Sequence, residues 1–380
     1  MNRKGMRGMT LADVAAQLNL VPTGVIYYFK NKEELAQACF LHGIERFNGL
    51  LDDAAAGATV RDRLGLFLHA YFDFRRRAQQ GATDTVAVFN DVRALNRDPV
   101  NQAYIDMFRR ARALLSGPET DALSRAALNA RAHLLLSEIL WTTVWIHRHD
   151  VEDFDRAARR MLSITTDGFA APGVDWSPVL LPGLAPDVQG EEPREQFLRA
   201  ATQLINEEGY VGASVEKISA RLNVTKGAFY HHNETKDELV LACFTRTFEV
   251  MRHAIRQAEQ VSANGLQALA TAATALVEYQ MSGKAPLLRT SALTSVPEEI
   301  QPALIAKFNR TADRFASLIS DGIADGSVRP VCANIGAQMV TGMISAAATL
   351  HHWMPGATPE AGRSLFARPL FTGLLSSAEG

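Results

Sequence analysis

The sequence predicts an all-α protein made of two similar units. Three observations carry that reading. Apolar residues recur at helical spacing, as in Leu64, Phe67, Leu68, Tyr71 and Phe72, in Phe154, Ala157, Ala158, Met161 and Leu162, and in Ile335, Met339, Met343, Ile344 and Ala347. No convincing alternating strand or Asn-Gly hairpin appears. Finally, one passage is written twice: "LNLVPTGVIYYFKNKEELAQACF" (Leu18–Phe40) aligns without a gap with "LNVTKGAFYHHNETKDELVLACF" (Leu222–Phe244), at a shift of 204 positions.

The repeat extends beyond that passage. "NRKGMRGMT" from Asn2 aligns with "NEEGYVGAS" from Asn206, and His147 corresponds to His351, at the same shift. "EDFDRAARRMLS" (Glu152–Ser163) corresponds to "GATPEAGRSLFA" (Gly356–Ala367). So long a period reads as a duplicated domain, not a solenoid. Between the copies lies "APGVDWSPVLLPGLAPDVQGEEP", whose Pro and Gly density stops helix and strand alike. The expected division is a first head over 1–47, a helical region over 48–171, a linker over 172–192, a second head over 193–250 and a second helical region over 251–380.

Composition narrows the class. At 380 residues and 47% hydrophobic content, the chain is long enough for two domains with substantial cores. A formal charge of −2 supports neither a basic coat nor an acidic tail, so any nucleic-acid binding must come from local patches. The three cysteines, Cys39, Cys243 and Cys332, lack paired spacing and read as reduced thiols of a cytoplasmic protein. No signal peptide is legible. The longest apolar stretch, Leu134 to Ile146, is too short to span a bilayer and contains Ser137 and Glu138. No membrane association is expected.

Local signals then place the motif. In the second copy Pro193 suits a helix start, Phe197, Leu198, Ala201, Leu204 and Ile205 form one apolar face, and Gly209 closes the helix. Ser214 caps a short helix that turns Val215, Ile218 and Leu222 inward. Asn223 and Val224 make a tight turn, and Thr225 caps "KGAFYHH". Thr235 caps a fourth helix, with Glu238 at the capping-box position. Two short helices around a tight turn form a helix-turn-helix, whose second helix can enter a major groove with its N-terminal residues at base edges. Thr225, Lys226, Gly227, Tyr230 and His231 lie there. Ser214 and Lys236 head neighbouring helices, where a backbone N–H and a side chain can share a phosphate. The corresponding first-copy residues are Thr10, Val21, Pro22, Thr23, Tyr27, Tyr28 and Lys32.

At these residues the sequence resembles the TetR family of bacterial transcriptional regulators. "VTKGAFYHHNETKDEL" matches the family's recognition pattern closely, except that Asn233 stands where the family usually has Phe. "LVPTGVIYYFKNKEEL" keeps Phe29 and Lys32 but has Ile26 where Tyr is usual. "DGSVRP" (Asp325–Pro330) is a common family connector. The resemblance implies two TetR-like units, an operator of double-stranded DNA, a small-molecule effector bound by the helices after each head, and dimer formation through the last two helices of each unit. Those helices would be Ala126–Arg148 with Glu152–Gly168, and Asn334–His352 with Pro359–Leu375.

Two units in one chain suggest an intramolecular pseudo-dimer, with a homodimer as the alternative. A flexible linker of this length reaches on the order of 25 Å, and heads about 34–36 Å apart fit one operator. Because the heads differ where bases would be read, the expected operator has two unlike half-sites. Repression is the family default. The first copy also lacks a counterpart of the helix over Arg194–Glu208, which leaves Leu11, Val14 and Leu18 without a packing partner. Two readings stand: the native start lies upstream, which we favour, or the first head is truncated and weak at DNA.

The effector expected from the sequence is apolar or aromatic. Phe67, Tyr71, Phe89, Tyr104, Phe108, Trp141 and Trp145 are its candidate contacts, although ordinary core packing is the favoured reading of these aromatics. No metal or cofactor is expected: the histidines at His147, His149, His351 and His352 sit at helix ends without supporting ligands. With no Gly-rich phosphate loop, G-x-S-x-G or H-E-x-x-H, an enzyme is not expected. The main rival is a helical ligand- or partner-binding protein with one or both heads disabled for DNA.

Overall fold

The computed structural model describes residues 9–83, 89, 95, 97–181, 184, 193–225, 227, 235–283, 286–289, 292, 296 and 299–376. The first half of the chain forms α1 (Leu11–Gln17), α2 (Pro22–Tyr28), α3 (Lys32–Ala54), α4 (Val60–Gln79), α5 (Asp98–Leu114), α6 (Arg125–Trp145) and α7 (Phe154–Asp167). The second half forms α8 (Pro193–Gly212), α9 (Val215–Arg221), α10 (Lys236–Val261), α11 (Gly265–Met281), α12 (Gln301–Asp325) and α13 (Ala333–Ala347). Three abutting pieces close the chain, Pro359–Ala361, Gly362–Ala367 and Arg368–Thr372, together α14.

Caps fix most starts. Thr10, Thr59 and Thr235 form reciprocal capping boxes with Asp13, Asp62 and Glu238, and Ser214 accepts from the Lys217 N–H. Gly209 takes φ 72° and breaks α8 where the sequence expected a helix end. Asp325 organises the "DGSVRP" connector. Its carboxylate accepts from Ser327 N at 2.8 Å and from Gly265 N at 2.7 Å, while Gly326 leaves α12 at φ 82°.

Within each half the helices pack in the same order. α3 lies on α5 and α4 on α7; in the second half α10 packs on α8 and α11, and α12 on α13. The halves then meet along α6, α7, α13 and α14. Polar side chains of one half take carbonyls of the other. Asn129 Nδ2 donates to Trp353 O at 3.0 Å and Arg131 Nη1 to Leu374 O at 2.6 Å. Arg329 donates to Gly168 O at 2.8 Å and Ser163 O at 2.6 Å. Main chain pairs directly as well: Phe169 N donates to Phe371 O at 2.8 Å and Leu374 N to Thr165 O at 2.9 Å. These bonds satisfy carbonyls that helix ends otherwise leave open. Apolar contacts run beside them, with Phe108 stacked on Trp353 at 3.5 Å between ring centroids and Trp141 tilted against Phe308 at 5.9 Å.

The stretch expected to be a flexible linker is pinned over its described part. Ala170 forms an isolated antiparallel bridge with Val328, and Ala171 N donates to Ser327 O at 3.0 Å. Val179 N reaches Thr271 Oγ1 at 2.9 Å, and Trp176 lies against Phe371 and Arg368. The difference has a physical cause: Val, Trp and Leu in this Pro-rich run find apolar surface on α11 and α14. Free-chain reach therefore does not describe residues 171–181.

Glu138 is buried at the seam between the halves, against Gly342 of α13. Neither of its carboxyl oxygens makes a full hydrogen bond. Burial pushes its pKa well above the usual carboxylate range, offset in part by the facing Met343 N–H. Burial thus favours its neutral form over its charged one. The stability that protonation contributes is fully present below the ordinary carboxylate range and is lost as pH rises through the displaced pKa. Glu138→Gln should melt like the wild type in acid and above it by a widening margin as pH rises. Thermal melts across about pH 4 to 8 check this; parallel curves would contradict it.

Candidate nucleic-acid interface and cavity

Both heads make the same turn. Asn19 and Asn223 are the two described non-glycine residues with positive φ, at 53° and 54°. Asparagine tolerates this left-handed position because its short amide suits it. Leu20 N then donates to Ala15 O at 2.8 Å, and Val224 N to Ser219 O at 3.0 Å, so the two turns close identically.

In the first head, α2 packs inward through Val25 and presents the rest. Val21 is 66%, Tyr27 84% and Tyr28 74% exposed, and Pro22 and Thr23 are exposed beside them. Thr10 is exposed at the cap of α1, and Lys32 is half-buried at the start of α3. In the second head Thr225 and Gly227 are exposed after the turn, and Ser214 and Lys236 are half-buried at the starts of α9 and α10. Lys236 Nζ lies 4.2 Å from the Tyr210 ring centroid, and burial lowers its pKa. The Tyr210 hydroxyl donates to Asp237, and burial together with that bond raises its pKa. Lys226, Tyr230, His231 and Asn233 lie outside the described residues.

The heads differ in support. α8 lays Phe197, Leu198, Ala201, Leu204 and Ile205 into the core, and ion pairs Lys217–Glu208 and Arg221–Glu207 hold α9 to it. Ile218 is buried and Leu222 half-buried. Among the described residues no helix precedes α1. There Val14, the counterpart of Ile218, is only half-buried, and Leu18, the counterpart of Leu222, is 61% exposed.

A small cavity of about 30 Å³ opens in the second half, among α10, α11, α12, α13 and the segment at Leu287 and Leu288. Phe244, Phe248, Met251, Phe308 and Ile344 supply its apolar wall, and Thr247, Gln280, Thr341 and Ser345 its polar one. Trp141 of α6 closes it from the first half. Among the described residues no ionisable side chain lines it. The wall at 286–289 is tied to the second head. Asn206 of α8 donates to Leu287 O and accepts from Arg289 N, both at 2.9 Å. Leu287 N and Leu288 N donate to Gln280 Oε1 and Thr247 Oγ1, each at 2.9 Å. Buried Arg246 pairs with Glu195 of α8 and donates to Tyr279 Oη at 2.9 Å and Pro286 O at 3.3 Å.

The first-half aromatics that were candidate effector contacts fill space, as the favoured core reading expects. Phe67, Tyr71, Phe89, Phe108 and Trp145 are buried. Phe67 packs on Phe47, Phe89 on Tyr104, and the Tyr71 hydroxyl lies 3.1 Å from Thr142 Oγ1. Of the seven, Trp141 alone lines the described cavity. Asn206 and Gln280 had a legible signal, an amide on an otherwise apolar helix face, but sequence reasoning passed over both.

The described architecture is thus all-helical, with a helix-turn-helix in the first head and the matching first helix and turn in the second. Residues 1–39 and 197–243 match the sequence model of the bacterial regulatory proteins of the tetR family. The chain is 26% identical over 139 residues to the transcriptional repressor DhaR of Mycobacterium sp. (strain GP1), covering 36% of this chain and 70% of DhaR. It is 42% identical over 50 residues to the transposon Tn10 TetC protein of Escherichia coli, covering 13% of this chain and only 25% of TetC. Among solved structures it is similar to the TetR-family regulator PfmR from Thermus thermophilus, at 20% identity and TM-score 0.40, covering 47% of this chain and 98% of PfmR. The sequence matches support a TetR-family regulator.

Asn206→Ala removes both bonds to the cavity wall. A destabilisation of about 1–3 kcal/mol is expected in urea unfolding, with helical content retained. A change within error would mean that the wall is held without Asn206.

Proposed function

We propose that the chain is a DNA-binding transcriptional repressor whose two unlike heads act together as an intramolecular pseudo-dimer. The carrying observation is the identical left-handed turn at Asn19 and Asn223, each followed by exposed residues, in halves that share one helical seam. In this reading the division into two heads, two helical regions and a linker follows the repeat. Val21, Pro22, Thr23, Tyr27 and Tyr28 read one half-site, and Thr225, Lys226, Gly227, Tyr230 and His231 the other. Thr10, Lys32, Ser214 and Lys236 hold phosphates. Base readers that differ between heads call for an operator with two unlike half-sites.

The effector in this reading is a small uncharged molecule in the cavity. Walls without an ionisable side chain offer a charged group nothing to offset its desolvation. Occupancy presses on Leu287 and Leu288, and Asn206 carries the displacement to α8. Among the described residues no helix is long and apolar enough to cross a membrane.

One observation favours a second reading. Leu18 at 61% exposed leaves the first head with apolar surface that the second head partly covers at Leu222. A protein with that head disabled would bind DNA through the second head alone, or serve as a ligand- or partner-binding protein.

Selection of bound DNA from a random pool separates the readings. Two unlike half-sites one helical turn apart are expected; a single half-site indicates one disabled head, and no enrichment indicates two. In gel shifts, Lys236→Ala should weaken binding and lower the salt slope by about 1, as loss of one phosphate contact requires. An unchanged slope would remove Lys236 from the interface.

A further inference from the structure

The seam between the halves is not self-complementary, and we infer that it selects the other half of the same chain over a second copy of the protein. The inference rests on the proposed pairing of the halves and names the residues that enforce it.

The register is pinned where α6 and α13 end. The 3-10 turns Ile146–Arg148 and Leu350–His352 stand 204 positions apart, the shift of the sequence repeat. At that shift Glu138 corresponds to Gly342 and Trp141 to Ser345. Glu138 and Gly342 also meet in space. A Cβ built on Gly342 would lie 2.9 Å from Trp141 Cγ and 3.1 Å from Glu138 Oε2. A position that touches its own counterpart lies beside the axis relating the two halves. On one side of that axis stand a glutamate and a tryptophan, and on the other a glycine and a serine.

Only the unlike pairing fits. Two first halves would bring Glu138 against Glu138 and Trp141 toward Trp141, in space that now holds one of each. Both carboxyls would be buried without a cation or a strong donor facing them. Two second halves would set Gly342 against Gly342 and leave the volume of Glu138 and Trp141 empty. The seam repeats the device nearby: a Cβ on Gly336 would lie 2.7 Å from Phe169 Cε1, a fully buried ring that follows α7. Large side chains of the first half thus enter gaps left by glycines of the second. Joining the halves in one chain raises their effective concentration for each other. Size complementarity then disfavours the like pairings that a duplicated dimer surface would otherwise retain.

Two measurements on the full chain test this, and neither involves DNA, so they are independent of the regulatory reading. Ser345→Cys places a thiol beside the axis and leaves Glu138, Trp141 and Gly342 in place. Under mild oxidation it should give no covalent dimer through position 345, because the thiol faces the unlike half. A disulfide joining position 345 to 345 between chains, identified by peptide mass spectrometry, overturns the inference. The second measurement is the melting temperature of Gly342→Ala. Alanine is the better helix former and would by itself raise it. Contact with Trp141 and Glu138 should instead lower it by ~2 °C or more. A raised or unchanged melting temperature shows that the gap is not tight and overturns the assignment.

Discussion

The close approach of α6 and α13 is the constraint on which the rest of the molecule depends. Gly342 permits it by withholding a Cβ where Trp141 and Glu138 already stand. Helices that come this near leave no room for water, so every polar group along them must find a protein partner or change its ionisation. Both outcomes occur. Asn129, Arg131 and Arg329 take carbonyls from the opposite half, and Glu138, lacking such a partner, has its neutral form favoured by burial. The result is one continuous apolar core through both halves.

The halves share an order of helices and differ in how they fill it. Between α3, α4 and α6 the volume is taken by Phe47, Phe67, Tyr71 and Phe89, rings that meet edge to face. α11 presents Ala272, Ala273 and Ala275 in its Ala-rich run, and a cavity remains beside it. That cavity touches three parts of the protein at once. Trp141 comes from the first half, Phe308 and Ile344 from the second, and Leu287 and Leu288 from a segment hung on α8 by Asn206. A change of contents there bears on the seam and on the second head together.

The heads show how far a local motif can be built without its surroundings. Capping boxes, the asparagine turn and the buried Val25 or Ile218 arise from residues within a few positions of each other. Burial of Leu222 depends instead on α8, and Leu18, its counterpart, shows the consequence of lacking that helix among the described residues. The turn is a property of the passage, whereas its packing is a property of what lies behind it.

Much of this was legible in the sequence for the same reason. Helices, caps and the repeat are written in spacings of three, four and 204 residues, and the physics that reads them is short-ranged. Thr235 with Glu238, Gly209 as a breaker and the tight turn at Asn223 are such cases. Relations between distant segments were not legible. The aromatic run of the first half left a ligand site open beside the favoured core reading, because sequence shows ring content but not whether rings fill one another's space. The Pro-rich connector looked free because its anchors, Thr271 and Phe371, lie far along the chain. The sequence by itself determined the helices, the duplicated heads and the family they resemble. Only the tertiary structure decided where volume was left unfilled and which side chains meet across the seam, because packing depends on the sum of neighbours from both halves.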